Sequence, residues 1–271
     1  MNARRDRRTV SCVDDKDGPH YEELLRLLGE VDGWLARIDP DHAGRPQQPA
    51  PGSPMRADDK LLHPYQLSHA TWHSLSHAVD HLSCLLTLLK DAHVIHMYAP
   101  YSLVRSALEN ASAAVWMLRP ASRTERVARR LRFAMNDIRN GEQAKRLAGT
   151  VGPRSERERV DQVRGIAKRA GVDVAEAVHR VGYWEIVKAA GTGPGADVIP
   201  LIWKLCSGMT HGDFWTTWAA AERVELPGAP PGLGSFKITA NVQTLMYVTT
   251  FTTQMTRLGW HMYDQRSRPP Y

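Results

Sequence analysis

Three groups of side chains in this sequence have the types and spacing to do chemistry. The first is the run Trp203-Lys204-Leu205-Cys206-Ser207-Gly208-Met209-Thr210-His211-Gly212. If the run is helical, Lys204 and His211 stand nearly two turns apart and look onto the same space. An imidazole titrates near neutral pH and can serve as general acid or base, and an ammonium can neutralise an anion. Ser207 and Gly208 between them are small enough for another helix or a ligand to come close. The competing expectation is a tightly packed helix end, with His211 meeting the last carbonyls.

The second group lies in the segment Tyr98 to Leu118, which is apolar nearly all round and belongs in the middle of a bundle. It nevertheless carries Arg105 and Glu109 four residues apart, the spacing at which guanidinium and carboxylate meet on a helix. Charges in such a setting must be paired or must work. One expectation is a self-satisfied ion pair. The other is a ligand pocket inside the bundle, lined by His81, Arg105, Glu109, Trp116 and His211, with Ser207 beside it.

The third group is a histidine stripe, His69, His73, His77 and His81, each four residues after the last. Two imidazoles at that spacing can hold a divalent ion, but such sites normally recruit a carboxylate or a third histidine from elsewhere. No HExxH is present, and the stripe lies opposite the apolar face made by Leu75, Ala78, Leu82 and Leu85. A polar outer face is therefore expected, with no metal and no cofactor. His81 is set apart because it falls where the polar and buried faces meet.

The elements that must position these groups read as helices. Residues 21–38 form one amphipathic helix by their spacing of threes and fours, and a Pro/Gly-rich stretch across 39–59 reads as a linker. Long helices follow over 64–90 and 98–118, the second stopped by Pro120. Charged helices are expected over 122–147 and 154–170, the latter ended by Gly171. The stretch 172–195 gives a weak signal, a short helical piece near 175–180 and a GTGPG loop without the following Lys of a phosphate loop. Helices over 199–209 and 213–222 should be interrupted around Gly208 and Gly212. ERVEL and SFKITA then flank a turn and can form a hairpin before a last helix over 241–264. The fold class is thus an all-α multi-helix bundle, with a small β-hairpin near the C-terminus as an option. Residues 1–60 make a tail, a helix and a linker, and 61–271 the bundle.

Apolar residues at 42% and charged residues at 24% are ordinary globular values, so a core can form without disulfides. Three widely spaced cysteines give neither a disulfide framework nor a thiolate metal site, which fits a reducing cytoplasm. No apolar run reaches the roughly 18 residues of a membrane span. The formal charge of +6 suits an anionic partner. The excess is not gathered on one reading surface: Arg4, Arg5, Arg7 and Arg8 fall in the tail, and Arg123, Arg126, Arg129, Arg130 and Arg132 in a segment that reads as a solvated charged face.

The strings AVDHLSCLLTLLK, SLVRSALENASAAVWMLRP, ERVARRL and WKLCSGMTHG together resemble uncharacterised actinobacterial helical proteins that are distantly similar to HEPN-type domains. The resemblance covers roughly residues 67–215. It implies a helical bundle, commonly a homodimer, whose ribonuclease motif is an arginine followed after four to six residues by a histidine. Here the matching positions are Lys204 and His211, with lysine in place of arginine. Lysine neutralises phosphate as a point charge but lacks the planar fork of arginine. The resemblance therefore implies a metal-independent ribonuclease or a degenerate phosphate or nucleic-acid binder. His211 would be its general acid/base, Lys204 its phosphate contact, and RNA or another phosphate-bearing ligand its partner. A purely structural, dimerising protein is the remaining alternative.

Overall fold

The computed structural model describes residues 17–39, 41, 48–191 and 197–270. The basic residues Arg4 to Arg8 and most of the GTGPG stretch lie outside them. The described chain runs through α1 (Gly18–Leu28), α2 (Glu30–Ile38), α3 (Pro54–Leu62), α4 (Leu67–Lys90), α5 (Ala99–Leu118) and α6 (Arg123–Ala148). It continues through α7 (Glu156–Ala170), α8 (Val174–Ala177), α9 (Tyr183–Ala190), α10 (Val198–His211) and α11 (Phe214–Ala220). The antiparallel hairpin β1 (Ala221–Leu226) and β2 (Ser235–Ala240) and the long α12 (Val242–Ser267) complete it. The fold is a helical bundle with one hairpin, as the sequence implies.

Helix α5 is the axis of the bundle and packs against α4, α6, α9, α10 and α12. Every residue from Ala111 to Leu118 is buried. Small side chains let its neighbours approach: Ala107, Ala111 and Ala114 lie on α5, and Gly259 on α12. A Cβ at Gly259 would stand 2.7 Å from the Leu75 side chain and 3.7 Å from Val115. Four fully buried threonines of α12 line the same region, and three of them, Thr252, Thr253 and Thr256, donate their hydroxyls to carbonyls one turn back at 2.9–3.1 Å. That removes their polarity from the interior and leaves methyl groups for packing.

The C-terminal end of α5 is held by arginines. A helix leaves its last carbonyls without intrahelical partners, and a cation there also complements the helix dipole. Arg129 donates to the Trp116 carbonyl at 2.9 Å, Arg266 to those of Leu118 and Pro120, and Arg126 to those of Pro120 and Ala121. Arg126 also forks onto Asp58 of α3, at 2.6 and 3.2 Å, where neither side chain sees solvent. Arg130, one turn on, is buried with its Nε on the Gln66 carbonyl, and burial pushes its guanidinium down to about 10. The solvated charged face expected at 123–132 is therefore corrected. Arg126 and Arg130 share the side of α6 that carries Val127, Leu131 and Ala134, and their stems pack inward while their heads find carbonyls and a carboxylate.

Three further boundaries differ from expectation. The helix expected over 21–38 is divided at Gly29, whose N–H bonds back only three residues, to the Arg26 carbonyl. The linker is shorter than its prolines suggest, because Ser53 caps α3 and Pro54 occupies its first turn, where proline costs no hydrogen bond. Leu24, Leu28, Val31 and Met55 join the same core as α4 and α5. Finally, Gly208 does not interrupt a helix. It is buried in α10, and a Cβ there would sit 2.2 Å from a methyl of Thr216, which packs α11 onto α10. Gly212 makes the turn instead, with φ of 78°.

Because Asp58 holds Arg126 out of water, Asp58→Ala should strand a buried guanidinium and lower the unfolding free energy by about 3 to 5 kcal/mol. Urea denaturation of both proteins measures the difference. A loss below about 1 kcal/mol would remove the clasp from any account of stability.

Candidate functional site

The first half of α5, the last turns of α10 and α9 meet at one side of the bundle, and the charges of α5 are answered there. Arg105 Nε donates to Glu109 Oε1 at 3.0 Å, so the i,i+4 pair forms as its spacing implies. The Trp203 indole N–H donates to the same carboxylate oxygen at 2.7 Å, from α10. The two charged side chains keep 21% and 13% of their exposure, enough to reach the surface without standing in bulk water. The Arg105 guanidinium also lies 5.6 Å from the centre of the Trp203 ring.

Arg105 extends beyond this pair to His211, its Nη1 lying 3.0 Å from His211 Nε2. A guanidinium can only donate, so Nε2 accepts, and the imidazole in this arrangement is neutral with its proton on Nδ1. His211 is the last residue of α10 and is exposed. Beside it, the Ser102 and Thr210 hydroxyls meet at 3.1 Å, and Thr210 bonds back to the Cys206 carbonyl, which pins α10 to α5 at this end. Cys206 itself is fully buried, and burial pushes its thiol so far up that it cannot act as a thiolate at neutral pH.

Lys204 lies on the same helix but faces differently. Its ammonium sits 5.1 Å from the Trp184 ring of α9 and 5.6 Å from the Trp203 ring, in exposed cation–π contacts. Trp184 and Trp203 pack at 5.7 Å. The cation next to His211 is thus Arg105, and Lys204 forms the flank.

Of the proposed site residues, Arg105, Glu109 and His211 come together, with Lys204 adjacent. Trp116 does not join them. It stands three turns further along α5, about 16 Å away by helix rise, with Arg129 and Arg132 against its ring at 5.4 and 5.8 Å. His81 is half-buried on α4, and among the described residues no hydrogen bond links it, Ser207 or Trp116 to Arg105, Glu109 or His211. Of the five residues expected to line a pocket in the bundle, the structure joins Arg105, Glu109 and His211 by hydrogen bonds. A cavity of about 410 Å³ opens elsewhere, between α3 and the start of α4, beside Arg56, Lys60, His63 and His69.

Three participants escaped the sequence reading: Trp203 as the donor to Glu109, and Tyr183 and Trp184 on α9. Burial, and then the Glu109 carboxylate, push the Tyr183 hydroxyl up. Their signal was present, since Tyr183, Ile186, Val187 and Ala190 follow the three-and-four spacing of an amphipathic helix.

The histidine stripe takes no part in this site. His69, His73 and His77 are exposed, and the His73 and His77 rings lie 4.2 Å apart. Among the described residues no group of three His, Cys, Asp or Glu side chains is placed to hold a metal ion. Nor is any described helix long and apolar enough to cross a membrane. No family model, curated protein or solved structure matches this chain, so its chemistry must be read from the residues themselves.

Two outcomes follow. Glu109→Ala leaves Arg105 without its carboxylate and the Trp203 N–H without its acceptor, and should cost about 2 to 4 kcal/mol of stability by chemical denaturation. In the stripe, burial first and then His73 and His81 hold the His77 imidazole below its usual range. The unfolded chain therefore binds more protons than the folded one just below pH 6.5, so stability falls on acidification through that window. His77→Gln should flatten this part of the stability–pH curve, and an unchanged slope would remove His77 from it.

Proposed function

We propose that Arg105, Glu109 and His211 form a binding site for a phosphate-bearing ligand, with RNA as the substrate class, in a HEPN-like protein. His211 is the general acid/base and Arg105 the main phosphate contact. The observation that carries this reading is the 3.0 Å approach of a half-buried guanidinium to an exposed imidazole.

The pairing suits phosphodiester chemistry for three reasons. The guanidinium supplies a planar fork matched to phosphate oxygens, which the ammonium of Lys204 does not. Glu109 and Trp203 fix that fork before any ligand arrives, so little order is lost on binding. And the imidazole next to it, near a ribose hydroxyl or a leaving oxygen, can take or give a proton as charge develops on the phosphate. A phosphate drawing Arg105 toward itself also releases Nε2 of His211, so the base is freed when substrate is present. Lys204, cushioned on Trp184 and Trp203, contributes charge at the edge of the site and can sit along a nucleic-acid backbone.

Binding and cleavage of single-stranded RNA by the wild type, Arg105→Ala, His211→Ala and Lys204→Ala test the reading. Arg105→Ala should weaken binding by about tenfold or more. His211→Ala should retain binding and abolish any cleavage, and Lys204→Ala should mainly reduce the salt dependence of binding. Wild-type protein that binds no RNA at low salt, or binds it equally after Arg105→Ala, would defeat the proposal.

A further inference from the structure

Beyond His211, the chain exposes a surface that a lone protomer has little reason to keep. Eight of the fifteen large hydrophobic side chains exposed among the described residues lie between Phe214 and Ile238, on α11 and the hairpin. Phe214 is 73% exposed, Trp215 51% and Val224 61%. With aromatic side chains presenting 150–250 Å² each, the eight together offer roughly 800 Å² of apolar surface. Spread over α11 and the hairpin, that total is of the order of the roughly 800 Å² that each partner contributes to a stable interface.

The hairpin has no core beneath it. Its chief neighbour is α11, through Trp218, whose ring meets Phe236 at 5.3 Å and carries the Arg223 guanidinium at 4.0 Å. The pairing of Arg223 with Ile238 and Glu225 with Phe236 puts these four on one face, and Val224 and Leu226 on the other, so both faces carry exposed apolar side chains. A two-stranded hairpin is marginal by itself in water, and each of its strands has an open edge.

The charge pattern of β1 selects what covers it. We propose that β1 pairs antiparallel with β1 of a second copy, about a two-fold axis through Val224, to give a four-stranded sheet flanked by both copies of α11. In that register Arg223 of each copy stands opposite Glu225 of the other, two opposite-charge cross-strand pairs on the face that carries Phe236, while Val224 meets its own counterpart on the other face. The strand is complementary to itself in this register, as a closed two-fold contact requires.

Sedimentation velocity of the full chain over a range of concentrations tests the proposal, and the expected particle contains two chains. Arg223→Glu and Glu225→Arg each set like charges opposite each other at two symmetric places, and each should weaken dimerisation by about tenfold. The double variant Arg223→Glu/Glu225→Arg should restore it. Val224→Glu, at a side chain that is 61% exposed, should dissociate the pair while leaving the far-ultraviolet circular dichroism unchanged. A wild-type monomer at every concentration would overturn the proposal, and so would a dimer indifferent to all four variants or a double variant as weak as its parents. A monomer that pellets instead with anionic phospholipid vesicles, and stops doing so after Val224→Glu, would overturn it by assigning the same surface to a membrane.

Discussion

A helix buried on every side can keep charges and terminal carbonyls only if its neighbours answer them, and that requirement organises the bundle around α5. At its C-terminal end the answer is cationic: Arg126, Arg129 and Arg266 reach the carbonyls of residues 116–121 from α6 and α12. Asp58 balances the most deeply buried of them, which ties α3 into the same knot. In its first half the answer is mixed. Glu109 takes Arg105 from its own helix and the Trp203 N–H from α10, and Arg105 reaches on to His211. Between these ends α5 carries the buried small residues Ala111, Ser112, Ala113 and Ala114, which bring its neighbours close enough for both sets of contacts to be made.

The two ends differ in what their polar groups have left to give. Arg126 places Nε and Nη2 on Asp58 and Nη1 on two carbonyls, and it sits where solvent does not reach. Such a group stabilises and does nothing else. Arg105 has Nε on Glu109 and Nη1 on a histidine that is itself exposed. The second arrangement is exchangeable, because an anion at the surface competes for the guanidinium with a neutral imidazole rather than with a carboxylate. Charge-assisted bonds to an anion are stronger than bonds to a neutral acceptor, so the exchange favours the anion.

The fold class was legible because hydrophobic periodicity survives in long helices, and Gly171 marks an end that the structure keeps. The Arg105–Glu109 contact was legible for the same reason, being a consequence of helix geometry alone. What was not legible depends on which helices meet. The spacing of Lys204 and His211 puts them on one helix, but it cannot say that α5 supplies a better cation from across an interface. Trp116 and Arg105 stand eleven residues apart, just over three full turns, and so share a direction on α5 without sharing a site. The arginines of α6 look like a solvent face in a one-dimensional pattern, because their stems are long enough to lie in the core while their heads find partners at its edge. The glycine at 208 marks a close helix contact rather than a turn, a distinction made by Thr216 and not by its own neighbours in sequence.

Under the HEPN-like reading proposed above, a lysine at position 204 where the motif has arginine argues, taken by itself, against phosphodiester chemistry. The structure changes what that replacement means. With Arg105 on His211, a second guanidinium at 204 would sit within the same cluster, held by the Trp184 and Trp203 faces and competing for Glu109. An ammonium at the rim makes no fork and cannot displace Arg105 from the carboxylate in a bidentate way. The division of labour that follows is one fixed, directional cation beside the imidazole and one loosely held charge further out. Under the proposed function, that arrangement would suit a strand of phosphates, with one phosphate aligned for proton transfer and its neighbour held only by charge.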